Sequence, residues 1–348
     1  VMRLANRLAL LVMLAAAPVA IAGAVRQAAP VNDAAITEDA LPPRLSDYGF
    51  FADLSARTPA SGVHPYDLNT PLFSDYSVKQ RYVYVPAGTA ARYDAEAAFE
   101  FPVGSALIKT FGYGEGAAYR PIETRLLLRR ASGWVALPYV WNAEGTDAEL
   151  RRAGTRVPIA FTDPSGQERR ISYSVPNVNQ CKDCHNLGGA ITPIGPKARN
   201  LNDGAQLQRW HAAGVLDRAP KDAPRLARWD DPEASLDSRA TAYLEVNCAH
   251  CHNARGSASN SGLFLDWRQP DAAARGIGKH PAAAGRGSGG RMVVIDPGAP
   301  EESILLFRMA STEPGVAMPE LGRATSHDEA LAMLTRWIAM MPERGQSQ

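Results

Sequence analysis

All four cysteines of this 348-residue chain fall in two pentapeptides of one form, Cys181-Lys182-Asp183-Cys184-His185 and Cys248-Ala249-His250-Cys251-His252. Each has the C-x-x-C-H form of a c-type haem attachment site. On a helix, residues three and four apart share a face, so both cysteines and the histidine of each motif project to one side. Both thiols then reach the two vinyl groups along one porphyrin edge, and the imidazole comes under the iron as proximal ligand. The expected cofactors are two covalently bound haem c groups, held by Cys181, Cys184, Cys248 and Cys251, with His185 and His252 as the proximal iron (metal-binding) ligands. The competing interpretations are a pair of zinc knuckles, a disulfide within each C-x-x-C, or a thioredoxin-like redox motif. Zinc, the strongest of these, gives no reason for a histidine directly after both second cysteines.

The N-terminus supplies a compartment. Arg3 and Arg7 form a basic region, Leu8 to Ala17 is an uncharged apolar run, and Ala20-Ile21-Ala22 is an A-x-A cleavage signal. Residues 1–22 therefore read as a signal peptide and 23–40, Ala-rich and without periodicity, as a tether. The uncharged stretch between Arg7 and Arg26 is almost long enough for a membrane anchor, but Pro18 and the cleavage signal favour removal, leaving no stable membrane span. Covalent haem is attached outside the cytoplasm in bacteria, so the expected location is periplasmic. A formal net charge of +1 gives no global field to steer nucleic acid. Periplasmic redox proteins are the expected partners.

With 45% hydrophobic and 21% charged residues, the chain has a globular composition, and its length suggests two or three domains. The 29 glycines and 26 prolines indicate many turns. Residues 41–175 carry β signals. Arg81 to Val85 alternates, and Ala106 to Tyr113 continues that character. Leu126-Leu127-Leu128 and Trp134 to Trp141 flank a turn at Ser132-Gly133, and Val157 to Phe161 and Ile171 to Val175 flank one at Asp163 to Gly166. The expected fold is multidomain, an N-terminal antiparallel β domain (sandwich or small barrel) followed by mainly α cytochrome c-type haem domains. The β domain has no evident catalytic constellation. His64, its sole histidine, reads as structural, and Asp67, Asp75 and Lys79 read as turn and surface residues.

The first haem segment spans 176–235. Pro176 ends the last strand, Leu201 to Leu216 reads as a helix with Asn202 or Asp203 as N-cap and Gly214 near its stop, and 217–235 reads as a linker. The last unit spans 236–345. A helix from about Leu236 leads into the second motif and carries Tyr243 and Leu244. The terminal helix opens on Ser326-His327-Asp328-Glu329, an S-x-x-E capping box, followed by Leu331, Leu334, Ile338 and Met341 at helical spacing.

Met318, in a loop before that terminal helix, is the candidate sixth ligand of the second haem. His/Met ligation raises the haem potential and favours electron transfer. Core filling is the ordinary role of a methionine. Met292 and Met309 compete, the latter within a helical segment from Glu301 to Ala310. No methionine lies between His185 and Cys248, so the sixth ligand of the first haem is His211, a group reached from elsewhere in the fold, or none. The plainer reading of His211 is a partly exposed helix residue with Trp210 packing inward. His250, at a variable position of its motif, is expected to face outward. The glycine-rich stretch Gly285 to Gly290 lacks the strand and helix context of a phosphate loop, and His327 needs no special role.

The order of the second motif, Ile295-Asp296-Pro297-Gly298-Ala299-Pro300-Glu301-Glu302-Ser303-Ile304-Leu305, Met318-Pro319 and Trp337-Ile338 over residues 236–345 resembles class I cytochrome c domains. More broadly, Leu68 to Tyr76, Glu123 to Leu127, Pro176 to His185 and Asn247 to Asn253 resemble a family of exported dihaem c-type cytochromes to which no substrate is attached. The resemblance implies electron transfer between redox partners through two covalently attached haems. The alternative is a haem-dependent oxidoreductase such as a dihaem peroxidase acting at the first haem. Against it stand the short gap between motifs and the front β domain, which the bacterial dihaem peroxidases do not resemble. A third reading makes the β domain a ligand-binding module with the haems as electron exits.

Overall fold

The computed structural model describes residues 30–343. The expected signal peptide, 1–22, and the tether up to residue 29 lie outside the described residues. The rest of the expected tether contains a short helix, α1 (Asp33–Thr37), whose Ile36 is fully buried. An irregular ribbon of β1 (Phe51–Asp53) and β2 (Thr58–Pro59) follows.

The centre of the molecule is a six-stranded antiparallel meander in which each strand pairs with the next. Its strands are β3 (Val63–Pro65), β4 (Val78–Tyr84), β5 (Ala106–Tyr113), β6 (Arg120–Arg130), β7 (Gly133–Trp141) and β8 (Ala148–Leu150). Because side chains alternate along a strand, the two faces carry different residues. Tyr82, Tyr84, Ile108, Leu126, Leu128, Leu137 and Tyr139 pack on one face with Ile36, Tyr48 and Phe50. On the other, Val83, Leu107 and Leu127 form a row across three strands. That row packs with Tyr66, Phe99, Leu207 and Trp210.

This arrangement corrects the expected fold class. The sheet is open, with β3 and β8 at its ends, and its faces are covered by the N-terminal segment and by residues 198–216 instead of by a facing sheet. The two expected hairpins form, as β6–β7 and as β9 (Thr155–Thr162) with β10 (Glu168–Val175). The expected mainly α haem domains do not. After residue 176 come α2 (Val178–His185), a small ribbon of β11 (Asn186–Leu187) and β12 (Ala190–Ile191), α3 (Ala198–Leu201), α4 (Gln206–Ala212), α5 (Leu236–Asn247), α6 (Ile304–Ala310) and α7 (Asp328–Ala339). Only α5 and α7 reach 12 residues. Glycine and proline break the remainder into turns, so most of this half is irregular chain.

The expected helix over 201–216 is shortened to α4, because Asp203 turns the chain by accepting from the backbone of Ala205 and Gln206. The expected capping box of the terminal helix is absent. His327 occupies the N-cap position without a side-chain cap bond, Ser326 bonds Asp328 instead, and the Asp328 amide is taken by the hydroxyl of Tyr76 at 3.2 Å. Helices α5 and α7 pack through Tyr243, Leu244, Met333, Leu334, Trp337 and Ile338, joined by Leu306 and Met309 of α6. Among the described residues no helix is long and apolar enough to cross a membrane.

Candidate functional site

The two C-x-x-C-H motifs, 63 positions apart in their gap, meet in space at one cavity of about 790 Å³. The β4–β6 region of the sheet forms one wall, α2 and the turn after α5 form others, and the loop around Met318 closes the far side.

The first motif lies on α2. Asn177 caps this helix, its side chain accepting from the amides of Asn179 and Gln180 at 3.0 and 2.9 Å, while Gln180 reaches back to the Asn177 amide at 3.0 Å. That reciprocal cap satisfies orphan amides at the helix start and places Cys181, Cys184 and His185 on successive turns. The second motif departs from the helical expectation. α5 ends at Asn247, and Cys248 to His252 continue as turns, closed by bonds from the Cys251 and His252 amides to the Cys248 carbonyl at 3.1 and 2.9 Å.

Both motif histidines are oriented through Nδ1. That of His185 lies 2.9 Å from the Thr192 carbonyl, which only accepts, so Nδ1 carries the proton. That of His252 lies 3.0 Å from the Ser261 hydroxyl, whose own proton goes to the Ala258 carbonyl at 2.6 Å. Each ring is thereby left with an unprotonated Nε2, the form that ligates a metal, with a hydrogen-bonded partner fixing the tautomer. Burial pushes the His185 imidazole down to about 4 and lowers that of His252, which keeps both neutral at neutral pH.

All four thiols are free. Cys184 and Cys251, one from each motif, are near enough to influence each other, which lowers Cys251 and raises Cys184. Burial raises Cys181, and raises Cys248 to about 12. No group of three or more His, Cys, Asp or Glu side chains among the described residues is arranged to hold a metal ion by itself.

Met318 lines the cavity and is held by its backbone, its amide donating to Arg308 at 3.0 Å and its carbonyl accepting from Arg323 at 2.8 Å. Met309 also borders the cavity, whereas Met292 is 66% exposed. His211 is not brought to the site. It is exposed on α4, with Nδ1 3.0 Å from the Leu216 carbonyl, and forms no part of the cavity wall. His250 does the opposite of what its variable position suggested. Its ring borders the cavity, and its buried Nδ1 has no hydrogen-bond partner.

Several residues at or behind the wall escaped the sequence. Asp75, read there as a surface residue, lies behind the wall, is 2% exposed and accepts three hydrogen bonds from Ala324 and Thr325. His327 reaches the wall, inside a ring of aromatic side chains. Arg81, Lys109 and Arg125 project from the sheet into the cavity. Period-two alternation puts them on the same side as Val83, Leu107 and Leu127, but a charged strand residue taken alone reads as solvated. No protein-family model, curated protein or solved structure matches the chain.

Proposed function

We propose that this chain is an exported, periplasmic dihaem c-type cytochrome that passes electrons between redox partners. The observation that carries the reading is the pairing of each C-x-x-C-H motif with a histidine whose Nδ1 is hydrogen-bonded and whose Nε2 is free. That donor set fits haem, because a porphyrin supplies the equatorial nitrogens and needs from the chain only axial groups and thiols. It does not require the multi-residue cluster that a bare ion would. Bound haem supplies one-electron exchange at its iron.

The chain's own residues do the rest. Cys181, Cys184, Cys248 and Cys251 provide the anchoring sulfurs, while His185 and His252 are held in one tautomer by Thr192 and Ser261. Met318 presents its thioether from a loop tied down at both its amide and its carbonyl. The sheet wall keeps solvent from one side of the cavity.

A second reading, a haem-dependent oxidoreductase acting at the first motif, is favoured by the place of His211. Its exposure takes away the one residue that the sequence named as a candidate sixth ligand on that side.

The deciding experiment is expression of the mature chain with a cytochrome c maturation system, followed by intact mass, absorption and EPR spectroscopy. Two covalent haems in low-spin form, one with a sulfur-to-iron charge-transfer band that Met318→Ala removes, are the expected result. A high-spin ferric centre that reacts rapidly with peroxide would establish the second reading. Colourless protein whose mass lacks both tetrapyrroles would overturn both.

A further inference from the structure

Directly paired residues on adjacent strands β4, β5 and β6 place Arg81 opposite Lys109 and Lys109 opposite Arg125. We propose that this row is a binding site for carboxylate groups at the sheet wall of the cavity, beside the first C-x-x-C-H motif.

Like charges directly opposite one another in a sheet are destabilising, and cations taken out of water need partners. The row is short of them. Glu123, fully buried, is engaged by Arg125 Nε at 2.9 Å and Nη2 at 2.5 Å and by the Tyr173 hydroxyl at 2.6 Å. Arg81, 6% exposed, has Asp67 at 3.8 Å, but that carboxylate is 91% exposed, and Arg81 Nε and Nη2 have no hydrogen-bond partner. Lys109 makes no ion pair among the described residues and lies 4.7 Å from the centre of the Phe111 ring. Burial and the mutual repulsion of these cations lower Lys109 far below its ordinary value and bring nearby Lys79 to about 7. Arg125 is satisfied by Glu123, so two basic groups, Arg81 and Lys109, are left facing the same cavity as Cys181, Cys184 and His185, and an anion there would favour their charged forms. Charge-assisted bonds to carboxylates would satisfy both.

Two sources offer this chemistry, the propionate groups of a haem held at His185 or a free dicarboxylate. Naming the first source rests on the haem reading, whereas the site itself does not. The test compares wild type with Lys109→Met and Arg81→Met, using Lys109→Arg to restore the charge. Midpoint potentials are measured by spectroscopic titration, and succinate binding by calorimetry on the same preparations.

If propionates fill the row, Lys109→Met and Arg81→Met lower the potential of one haem and leave the other in place, Lys109→Arg restores it, and wild type binds no succinate. If a free dicarboxylate fills it, wild type binds succinate, the two Met variants lose at least tenfold in affinity, and both potentials stay put. Unmoved potentials together with no succinate binding in wild type overturn the proposal. Wild type without haem would refute the functional reading on its own, and the succinate titration of that colourless protein then decides the row. A Met variant that fails to fold with haem absent also counts against it, since removing a poorly paired cation should not destabilise an empty site.

Discussion

The imidazole of His327 stacks on the ring of Phe73, with centroids 4.2 Å apart and planes 11° from parallel. Trp229 and Tyr243 close around the same imidazole at 4.7 and 5.5 Å, and Tyr76 meets it edge-on at 5.9 Å. His327 Nε2 lies 3.9 Å from Glu329, and its Nδ1 shares a hydrogen bond of 3.1 Å with the Tyr243 hydroxyl. One histidine thus joins the segment before β4, the linker, α5 and α7.

Stability should therefore fall in mild acid. Burial brings the His327 imidazole down to about 4, whereas an unfolded histidine titrates near 6.5. Between those values the unfolded chain binds the extra proton, so stability is full above about pH 6.5 and is lost as pH falls toward 4. The loss from this group is on the order of 3 kcal/mol. His327→Phe keeps the stack and removes the proton site. Denaturant melts of the variant should show a shallower decline than wild type over that window, and parallel curves would contradict the assignment.

Asp75 ties the same segment to the loop that carries Met318. Its Oδ1 accepts from the amides of Ala324 at 2.7 Å and Thr325 at 2.8 Å and from the Thr325 hydroxyl at 3.1 Å, and its backbone sits at φ 49°. Asp75→Ala leaves these donors unpaired and puts alanine in the left-handed region, which asparagine tolerates far better. A loss of about 2–4 kcal/mol is expected, against a smaller loss for Asp75→Asn, which keeps the acceptor. Chemical denaturation of the two variants measures the difference.

The strands were legible where alternation is clean, as at Arg81 to Val85, and where a turn signal separates two apolar runs, as in β6–β7 and β9–β10. The covering of the sheet was not, because Ile36 and Trp210 reach it from segments whose local sequence carries no trace of that partner. At the site, the cysteines and histidines of the two motifs follow from short-range spacing alone. His250, His327 and the Arg81–Lys109–Arg125 row depend on which strands adjoin and which way a turn faces. Those are long-range facts, and a buried cation in a strand has the same local pattern as a solvated one.

Glu245 anchors α5, three residues before Cys248, to the chain that covers the sheet. Its carboxylate, 3% exposed, bonds Arg199, Lys197 at 3.0 Å and the Trp267 amide at 3.0 Å. Burial alone would raise this carboxyl, but Lys197 and Arg199 together hold it below the usual range. Glu245→Gln strands two cations and should cost about 3–5 kcal/mol, since removing one member of a buried ion pair leaves the other uncompensated. Adding Arg199→Met should recover part of that loss. A double-mutant cycle on unfolding free energies checks this, and strict additivity would mean that the pair is not coupled.

His211 and Trp210 are neighbours in sequence with opposite surroundings, which gives a paired prediction. The Trp210 ring is 2% exposed and packs against Tyr66 at 5.4 Å and Phe99 at 6.3 Å, so Trp210→Ala should cost about 3–5 kcal/mol. His211 is exposed, and its imidazole is bonded to the Leu216 carbonyl. Losing it should cost about 0.5–1 kcal/mol. Because His211 takes no part in the cavity wall, His211→Ala should also leave the absorption and EPR spectra of the haem-loaded protein unchanged. Conversion of one haem to high spin in that variant would place the imidazole on iron and require α4 to turn toward the cavity.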